Sequence, residues 1–304
     1  MMLECIKEGF HLANRNYQLV FLRIIVAIIN FISLLFFLGL PILAAVAYMG
    51  FDLSHAVDLL PDLMENPFNL LSKYLGLVFL IGMSFIFYLM FASTIILYSL
   101  GGTLGVLRNS AVNMQYRFSP ASFFREANNV FSRLFWLVSI LSLIFIVLFI
   151  AIILSAGVTA GFMQGFSWAE TTLEVFLSSF VFLSTIIFGI IIFFSWLIFT
   201  VYSFLCLVIE GKGSADTIKN TFNHLKKTPQ AFLFFFILFA GAVAINLVFF
   251  IIMIPLGMLP LVDIALYLVN VVFQNYLAIV VWSALTVYYS KTAESPLNTT
   301  MYDI

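Results

Sequence analysis

The chain has 304 residues, of which 63% are hydrophobic and only 9% are charged, and its mean hydropathy is +1.15. Soluble domains are about half apolar and about a quarter charged, so this composition excludes a soluble fold and indicates a protein embedded in lipid. The formal net charge of -1 lacks the basic surplus that contacts with nucleic-acid phosphates need, which excludes a nucleic-acid partner.

The chain opens with a polar segment, residues 6–16 (IKEGFHLANRN), before its first apolar run. At a helical pitch its apolar residues share one stripe and its polar residues another. The apolar stripe is Leu3, Ile6, Phe10, Ala13 and Tyr17, and the polar stripe is Lys7, His11, Asn14 and Arg15. The pattern predicts a helix that lies on the membrane surface. Acidic Glu4 and Glu8 do not fit a cleaved signal peptide, so we expect the following apolar run to be retained as an anchor.

Six apolar runs are each long enough to cross about 30 Å of hydrocarbon, which takes roughly 20 helical residues. They occupy 19–49, 73–100, 134–157, 175–209, 230–254 and 264–289. Because these runs are continuous and do not alternate with polar residues, spanning strands are excluded. The sequence therefore predicts an all-α polytopic membrane protein, with six transmembrane helices in a single membrane domain over residues 1–304.

Two later segments resemble the opening helix, 121–133 (ASFFREANNVFSR) and 215–227 (ADTIKNTFNHLKK). We align the three segments without gaps so that Lys7 matches Arg125 and Lys219, and we call this alignment the fixed register. In it most of the apolar stripe recurs in all three segments, and Asn128, which matches Phe10, is the polar exception. The cations also keep register in two sets, Lys7 with Arg125 and Lys219, and Arg15 with Arg133 and Lys227. The sequence therefore predicts three repeat units, each an amphipathic interfacial helix followed by a transmembrane hairpin, at approximately 1–105, 119–209 and 214–290.

Lys and Arg are distributed unevenly between the two sides of the predicted topology. With the N-terminus inside, only Lys73 of the 13 Lys and Arg residues falls outside, which predicts that both termini are cytoplasmic. Each cation of an interfacial helix is attracted to anionic lipid by about 1 kcal/mol. The candidate headgroup contacts are Lys7, Arg15, Arg125, Arg133, Lys219 and Lys227. Two alternatives stay open: the cations only orient insertion, or they dock a partner.

The predicted spans contain almost no ionisable side chains, which would mark catalysis or ion coupling at that depth. Cys5 and Cys206 lie outside any CxxC pattern, so we expect them to pack as small apolar residues. Residues 101–105 (GGTLG) lack the context of a phosphate-binding loop and are expected to end the second span. We expect the three histidines, His11, His55 and His224, in solvated surface segments. No enzyme activity, metal or cofactor is predicted.

Five amide side chains lie at membrane depth in the predicted spans: Asn30 in the first span, and the candidate pocket residues Asn246, Asn270, Gln274 and Asn275. The last three share the sixth span. They form either a neutral polar pocket or hydrogen bonds that hold neighbouring helices together, and the second interpretation is favoured because interhelical amide bonds are common in membrane bundles.

The stretch 207–239 (LVIEGKGSADTIKNTFNHLKKTPQAFLFFFILF) resembles a group of bacterial six-span membrane proteins. The group includes the membrane domain that accompanies some glycerophosphodiester phosphodiesterases and related families of unknown function. In these proteins a span ends in Glu-Gly and a short helix leads into the next span, as Glu210, Gly211 and 215–222 do here. The resemblance implies a cytoplasmic-membrane protein without known catalytic residues, because the chain has no phosphodiesterase barrel of about 250 residues.

Mitochondrial carriers share this length and a plan of three two-span repeats. Their odd spans close with a Pro-x-Asp/Glu-x-x-Lys/Arg motif, which this chain lacks. The sequence instead predicts a non-enzymatic integral membrane protein for membrane organisation, assembly or lipid homeostasis. The alternative is a transporter or lipid-handling protein for a neutral or amphipathic substrate that moves between the repeats, without coupling to ions through buried charges. Membrane lipids are the expected partners, and a membrane-protein partner or a second copy of the chain stays open.

Overall fold

The structure is a computed structural model that describes residues 1–49, 75–113, 115–166, 172–257 and 262–293. All regular elements in these ranges are helices, which confirms the all-α class. They are α1 (Met2–Arg15), α2 (Gln18–Leu34), α3 (Leu40–Met49), α4 (Leu75–Val112), α5 (Pro120–Phe166), α6 (Thr172–Glu210), α7 (Ser214–Lys227), α8 (Gln230–Gly257) and α9 (Val262–Thr292). The predicted outer segment at 51–71, with His55, lies outside the described residues.

Six helical stretches are long and apolar enough to cross a membrane, as the sequence predicted. They are Gln18–Ala47, Leu75–Val112, Pro120–Val158, Ser179–Glu210, Gln230–Pro255 and Ala265–Thr292. Residues 101–105 do not form the predicted helix end and turn, because α4 continues through them to Val112. Glycine weakens a helix by only about 1 kcal/mol relative to alanine, and these glycines are buried against a neighbouring helix. Segment 121–133 is not a separate helix either, since it forms the start of the continuous helix α5.

The chain divides into two compact units, and the smaller one comprises residues 18–100. Within it a π-helical turn, Leu35–Gly39, joins α2 to α3, and the Leu40 amide donates to the Leu35 carbonyl. The turn ends two residues before Pro41, which has no amide hydrogen and cannot donate to a regular helical hydrogen-bond ladder. Phe37 in the turn contacts Phe91 of α4 at a ring-centroid distance of 5.7 Å, which joins the first and second spans.

The larger unit comprises residues 1–17 and 101–304, and its core lies at one end of its spans. There α1 packs on α9, the start of α5 packs on the end of α4, and α7 packs on the end of α6. The large side chains that are fully buried at this end include Tyr202, Phe234 and Tyr288. Farther along the spans most large apolar side chains are exposed, as expected of surfaces that face lipid tails.

Three tryptophans lie where this packed end meets the exposed part of the spans: Trp136 in α5, Trp196 in α6 and Trp282 in α9. Tryptophan is enriched at membrane interfaces. From these residues to the far ends of the apolar stretches at Val158, Ser179 and Ala265, the helices cover roughly 26–33 Å at helical rise. That length matches a hydrocarbon core of about 30 Å, which indicates that the packed end lies at the headgroup level and beyond.

Candidate functional site

The three segments aligned by sequence bury the same face of the helix. In the fixed register Cys5 corresponds to Phe123 and Thr217, Gly9 to Ala127 and Thr221, and Leu12 to Val130 and His224. Eight of these nine residues are buried, and His224 is half-buried. The face mixes small, hydroxyl and apolar residues, so hydrophobic spacing alone did not reveal it. Cys5 and Cys206 are buried free thiols, which confirms their predicted packing role.

The first set of candidate headgroup cations, Lys7, Arg125 and Lys219, is exposed in all three segments. Beside these cations, Phe10 and Phe222 are also exposed, at 46% and 62% of their surface. An exposed apolar strip next to exposed cations is the surface that an interfacial helix presents to lipid. The predicted apolar stripe is nevertheless incomplete, because Ala13 and Leu225 lie on the buried face.

The second set of candidate cations is Arg15, Arg133 and Lys227. Each lies near the end of the second span of a predicted hairpin, which we call the returning span. The Arg15 guanidinium donates to the Ser110 carbonyl near the end of α4, and Arg133 donates to the Gly211 carbonyl just after α6. Gly211 has the left-handed φ of +67° that commonly ends a helix. Cations near a helix C-terminus satisfy its free carbonyls and interact favourably with its dipole. Lipid contact by Arg15 and Arg133 stays a prediction, and the structure adds this helix-end contact.

Lys227, the third member of that set, lines a polar cavity of about 220 Å³ together with Thr292 and Ala293 at the end of α9. Each second-set position therefore lies close to the end of the returning span of its own predicted unit. The sequence register revealed that these cations are equivalent, whereas their neighbours become visible only in the folded chain.

Glycines set the distance at which two of the three segments approach a span. A Cβ atom on Gly9 would lie 2.5 Å from the Ala284 Cα atom, and one on Gly105 would lie 2.6 Å from the Glu126 Cβ atom. Both distances are shorter than side-chain atoms tolerate. The paired helices therefore pack at backbone distance, which only a residue without a side chain allows.

A polar contact recurs at the position before Gly9 of α1 and at the matching positions of the other two segments. Here the side chain of each segment contacts a charged residue near the end of a returning span. The pairs are Glu8 with Lys291 at 2.6 Å, Glu126 with Arg108 at 3.1 Å, and Asn220 with Glu210 at 2.8 Å. Glu126 is only 8% exposed, so its carboxylate depends on the Arg108 guanidinium for compensation. The third pair places the carboxylate on the span instead of the segment.

Glu210 is also the centre of a polar cluster at the junction of α6, α7 and α9. Its carboxylate accepts hydrogen bonds from the Tyr289 hydroxyl at 2.7 Å and from Asn220, and it pairs with Lys212 at 3.0 Å. The hydrogen bond with Glu210 raises the pKa of Lys212. The His224 ring lies 4.7 Å from the Tyr289 ring, centroid to centroid.

His224 is therefore not the solvated surface histidine that the sequence predicted. Its ring is half-buried between α6 and α9, and its Nε2 atom is buried without a hydrogen-bond partner among the described residues. Burial lowers the pKa of His224, and the nearby Glu210 carboxylate opposes this shift. The imidazole is consequently neutral near pH 7.

The structure brings together three of the four candidate pocket amides. The Gln274 side chain donates to the Asn246 side chain across α8 and α9, and to the Asn270 side chain at 3.3 Å within α9. Asn275 donates instead to a carbonyl of its own helix at 2.8 Å. Asn270 and Gln274 are exposed. These amides connect two spans, and a ligand pocket at this position stays a prediction.

The functional assignment depends on this chain alone. Comparison of the sequence with protein-family models and with curated proteins, and of the structure with solved structures, finds no match.

Proposed function

We propose that the chain is a non-enzymatic integral membrane protein of three repeat units that organises anionic lipid at the cytoplasmic leaflet. In this proposal each unit consists of a basic interfacial helix and a transmembrane hairpin. The observation that carries the proposal is the exposed cation at one register position of all three segments, Lys7, Arg125 and Lys219, beside exposed apolar side chains.

The packing of the larger unit supports the repeat, because the three segments contact the spans in cyclic order. Segment α1 packs on α9 and reaches the end of α4 through Arg15. The start of α5 packs on the end of α4 and reaches the end of α6 through Arg133. Segment α7 packs on α6 and shares a cavity with the end of α9. Three equivalent surface segments account for this order without a special rule for any one of them.

The charge distribution supports the proposed orientation. In the larger unit the described Lys and Arg residues lie at the packed end of the spans, beyond the three tryptophans. Such a one-sided excess is typical of the cytoplasmic face, so we assign the packed end to the cytoplasm of a cell inner membrane, with both termini there. The resemblance to bacterial six-span membrane proteins is consistent with this assignment.

A lipid-handling or transport role is the second candidate. Open apolar grooves along α6 favour it, since one of about 330 Å³ is lined by Ile152 and Phe182, and another of about 430 Å³ by Trp196. A substrate that enters such a groove from the bilayer is amphipathic or apolar.

The test of the proposed function removes the repeated charges. We expect Lys7→Gln, Arg125→Gln and Lys219→Gln together to reduce copurified anionic phospholipid severalfold, because each cation contributes about 1 kcal/mol of attraction to the leaflet. Quantitative mass spectrometry of lipids extracted from the purified protein measures this loss.

The control variant, Arg117→Gln with Lys212→Gln, removes exposed cations outside the repeated set. It should retain most of the bound anionic lipid. Lipid content that is equal in the triple variant and the wild type would contradict the proposal.

A further inference from the structure

A groove of about 430 Å³ opens beside α6 at the level of the tryptophan boundary. Its floor is formed by apolar side chains of α5, α6 and α8, and its upper wall belongs to the surface helix α7. The residues that matter here are Ile191, Trp196, Phe199, Phe222, Leu225 and Lys226. All of the lining belongs to the larger unit.

The groove has the depth of one leaflet. From Phe199 to Ile191 it follows α6 for roughly 12 Å at helical rise, while half of a hydrocarbon core is about 15 Å thick. Trp196 lies between these two residues, stacked between Phe145 at 6.1 Å and Phe199 at 5.9 Å, centroid to centroid. The groove therefore extends from the headgroup level into one leaflet and not across the membrane.

Lys226 lies on the wall that α7 contributes, and the other lining is almost entirely apolar. In the fixed register Lys226 corresponds to Asn14 of α1 and Ser132 of α5. The third segment alone therefore carries a cation at this position.

We propose that this groove is a binding site for one anionic glycerophospholipid of the leaflet at the packed end. The lipid phosphate contacts the Lys226 ammonium, and one acyl chain lies along Trp196 and Ile191. This inference deepens the proposed lipid role by assigning it a discrete site. It uses a cation outside the six candidate headgroup contacts, so it can fail separately from them.

The dimensions and charge of the groove favour a lipid over a partner helix. A helix with its side chains is about 10–12 Å across, and a groove of this volume holds only a molecule of small-ligand size. An ammonium beside an apolar channel complements an anionic headgroup with an attached chain. It does not complement the purely apolar face of another span.

Trp196 provides a direct reporter for the acyl chain. The protein has four tryptophans, and replacement of the other three by Phe leaves Trp196 as the only strong fluorophore. This variant is reconstituted in vesicles of phosphatidylcholine with increasing fractions of brominated phosphatidylglycerol or brominated phosphatidylcholine, because a bromine quenches tryptophan only on contact.

We expect brominated phosphatidylglycerol to quench Trp196 with about fivefold higher relative affinity than brominated phosphatidylcholine. One cation near the surface contributes about 1 kcal/mol, which corresponds to this ratio. Lys226→Gln should abolish the preference while quenching itself persists. Lys212→Gln is the matched control, since it removes an exposed cation of the same face that lies outside both the groove and the repeated set, and the preference should remain.

Equal quenching by the two lipids in the parent variant would overturn the anionic site, and no quenching by either would overturn occupancy of the groove by an acyl chain. Loss of preference in both Lys variants would assign selectivity to the general positive charge of this face and also overturn the site. The two proposals can be told apart. If the preference depends on Lys226 but the triple variant of Lys7, Arg125 and Lys219 keeps the lipid content of the wild type, the groove site is supported and the broader proposed function is rejected.

Discussion

At the scale of single residues, close backbone approach decides how α1 is held on α9. Gly9 lies against the Ala284 backbone, and Cys5 on the same helical face has no exposed surface. Phe10, on a neighbouring face, makes an edge-on contact with the Tyr276 ring at 6.2 Å, and the Tyr276 hydroxyl donates to the Asn14 side chain at 2.5 Å. The contacts lie along one side of α1, so a single obstruction at Gly9 affects all of them.

The change Gly9→Leu is predicted to displace α1 from α9. A leucine cannot fit 2.5 Å from the Ala284 Cα atom, and overpacking of this kind costs about 1–3 kcal/mol. In a Cys206→Ser background Cys5 is the single thiol, and its maleimide labelling should accelerate by roughly fivefold or more, as that cost implies. His11→Leu places the same side chain at an exposed position of α1 and should leave the labelling rate unchanged. An unaltered rate in Gly9→Leu would reject the close packing.

At the scale of elements, α7 combines three different surfaces in a short helix. Thr217 and Thr221 face α6, Lys219 is exposed, and His224 lies beside the aromatic rings of Tyr202 and Tyr289. Because the cluster around Glu210 joins α6, α7 and α9, the charge state of His224 affects how these helices hold together.

Acid is predicted to destabilise this junction. The pKa of His224 is lowered from 6.5 in the folded protein, chiefly by burial, so below about pH 6.5 the unfolded chain binds a proton that the folded chain resists. The contribution of His224 to the free energy of unfolding is therefore fully present above that pH and is lost as the pH decreases. The groups that face the ring are Glu210, Lys212, Lys227, Tyr202 and Tyr289.

Thermal unfolding in detergent at pH 7.5 and at pH 5.5 measures the effect. The wild type should unfold at a lower temperature at pH 5.5, and His224→Phe should narrow the difference between the two values. His11→Phe removes an exposed histidine and should leave the difference as it is in the wild type. A pH dependence that is identical in His224→Phe and the wild type would assign the acid sensitivity to other groups.

The sequence predicted the positions of the helical spans better than it predicted which face of each helix is buried. Long apolar runs identified all six spans, because length and hydropathy alone decide which helices can cross a bilayer. The buried face of α1 was not visible, since Gly9 and Asn16 do not stand out by hydropathy and are buried for reasons of shape and hydrogen bonding: the Asn16 side chain accepts from the Phe118 amide at 2.9 Å. Its partner Ala284 lies at the other end of the chain, beyond the reach of local periodicity.

The same limit applies to the candidate site. Register in the sequence identified Arg15 and Arg133 as equivalent, and charge alone suggested lipid contact. Their actual acceptors are backbone carbonyls near the ends of α4 and α6, and no side-chain pattern marks a carbonyl. The residues 101–105 misled for a related reason, because glycines that loosen a turn and glycines that admit a neighbouring helix look alike in a sequence.

At the scale of the whole molecule, the proposed function requires that the three basic segments share one face of the membrane. The segments around Arg117 and Lys212 both belong to the packed end. Gly161 lies near the opposite end of α5, and beyond its own helical turns no atom of the described residues lies within 4 Å of a Cβ placed there.

Cysteine labelling in sealed vesicles of known orientation tests this arrangement. With Cys5 and Cys206 replaced by Ser, cysteines at Arg117 and Lys212 should react with an impermeant maleimide from the same side, and a cysteine at Gly161 should react from the other. The expected difference is nearly complete protection on the inaccessible side, because a charged reagent does not cross the bilayer. Labelling of positions 117 and 212 from opposite sides would reject three equivalent units.

The contact between Glu8 and Lys291 has a consequence for biosynthesis, because 283 positions separate these residues along the chain. Helix α1 leaves the ribosome long before its docking surface on α9 has been translated. Until then its buried face, including Cys5, needs temporary cover from lipid or an insertion factor. Contacts of such long range form late, so protease protection of the first segment should appear only after the last span has been inserted, well after the intermediate hairpins are in the membrane.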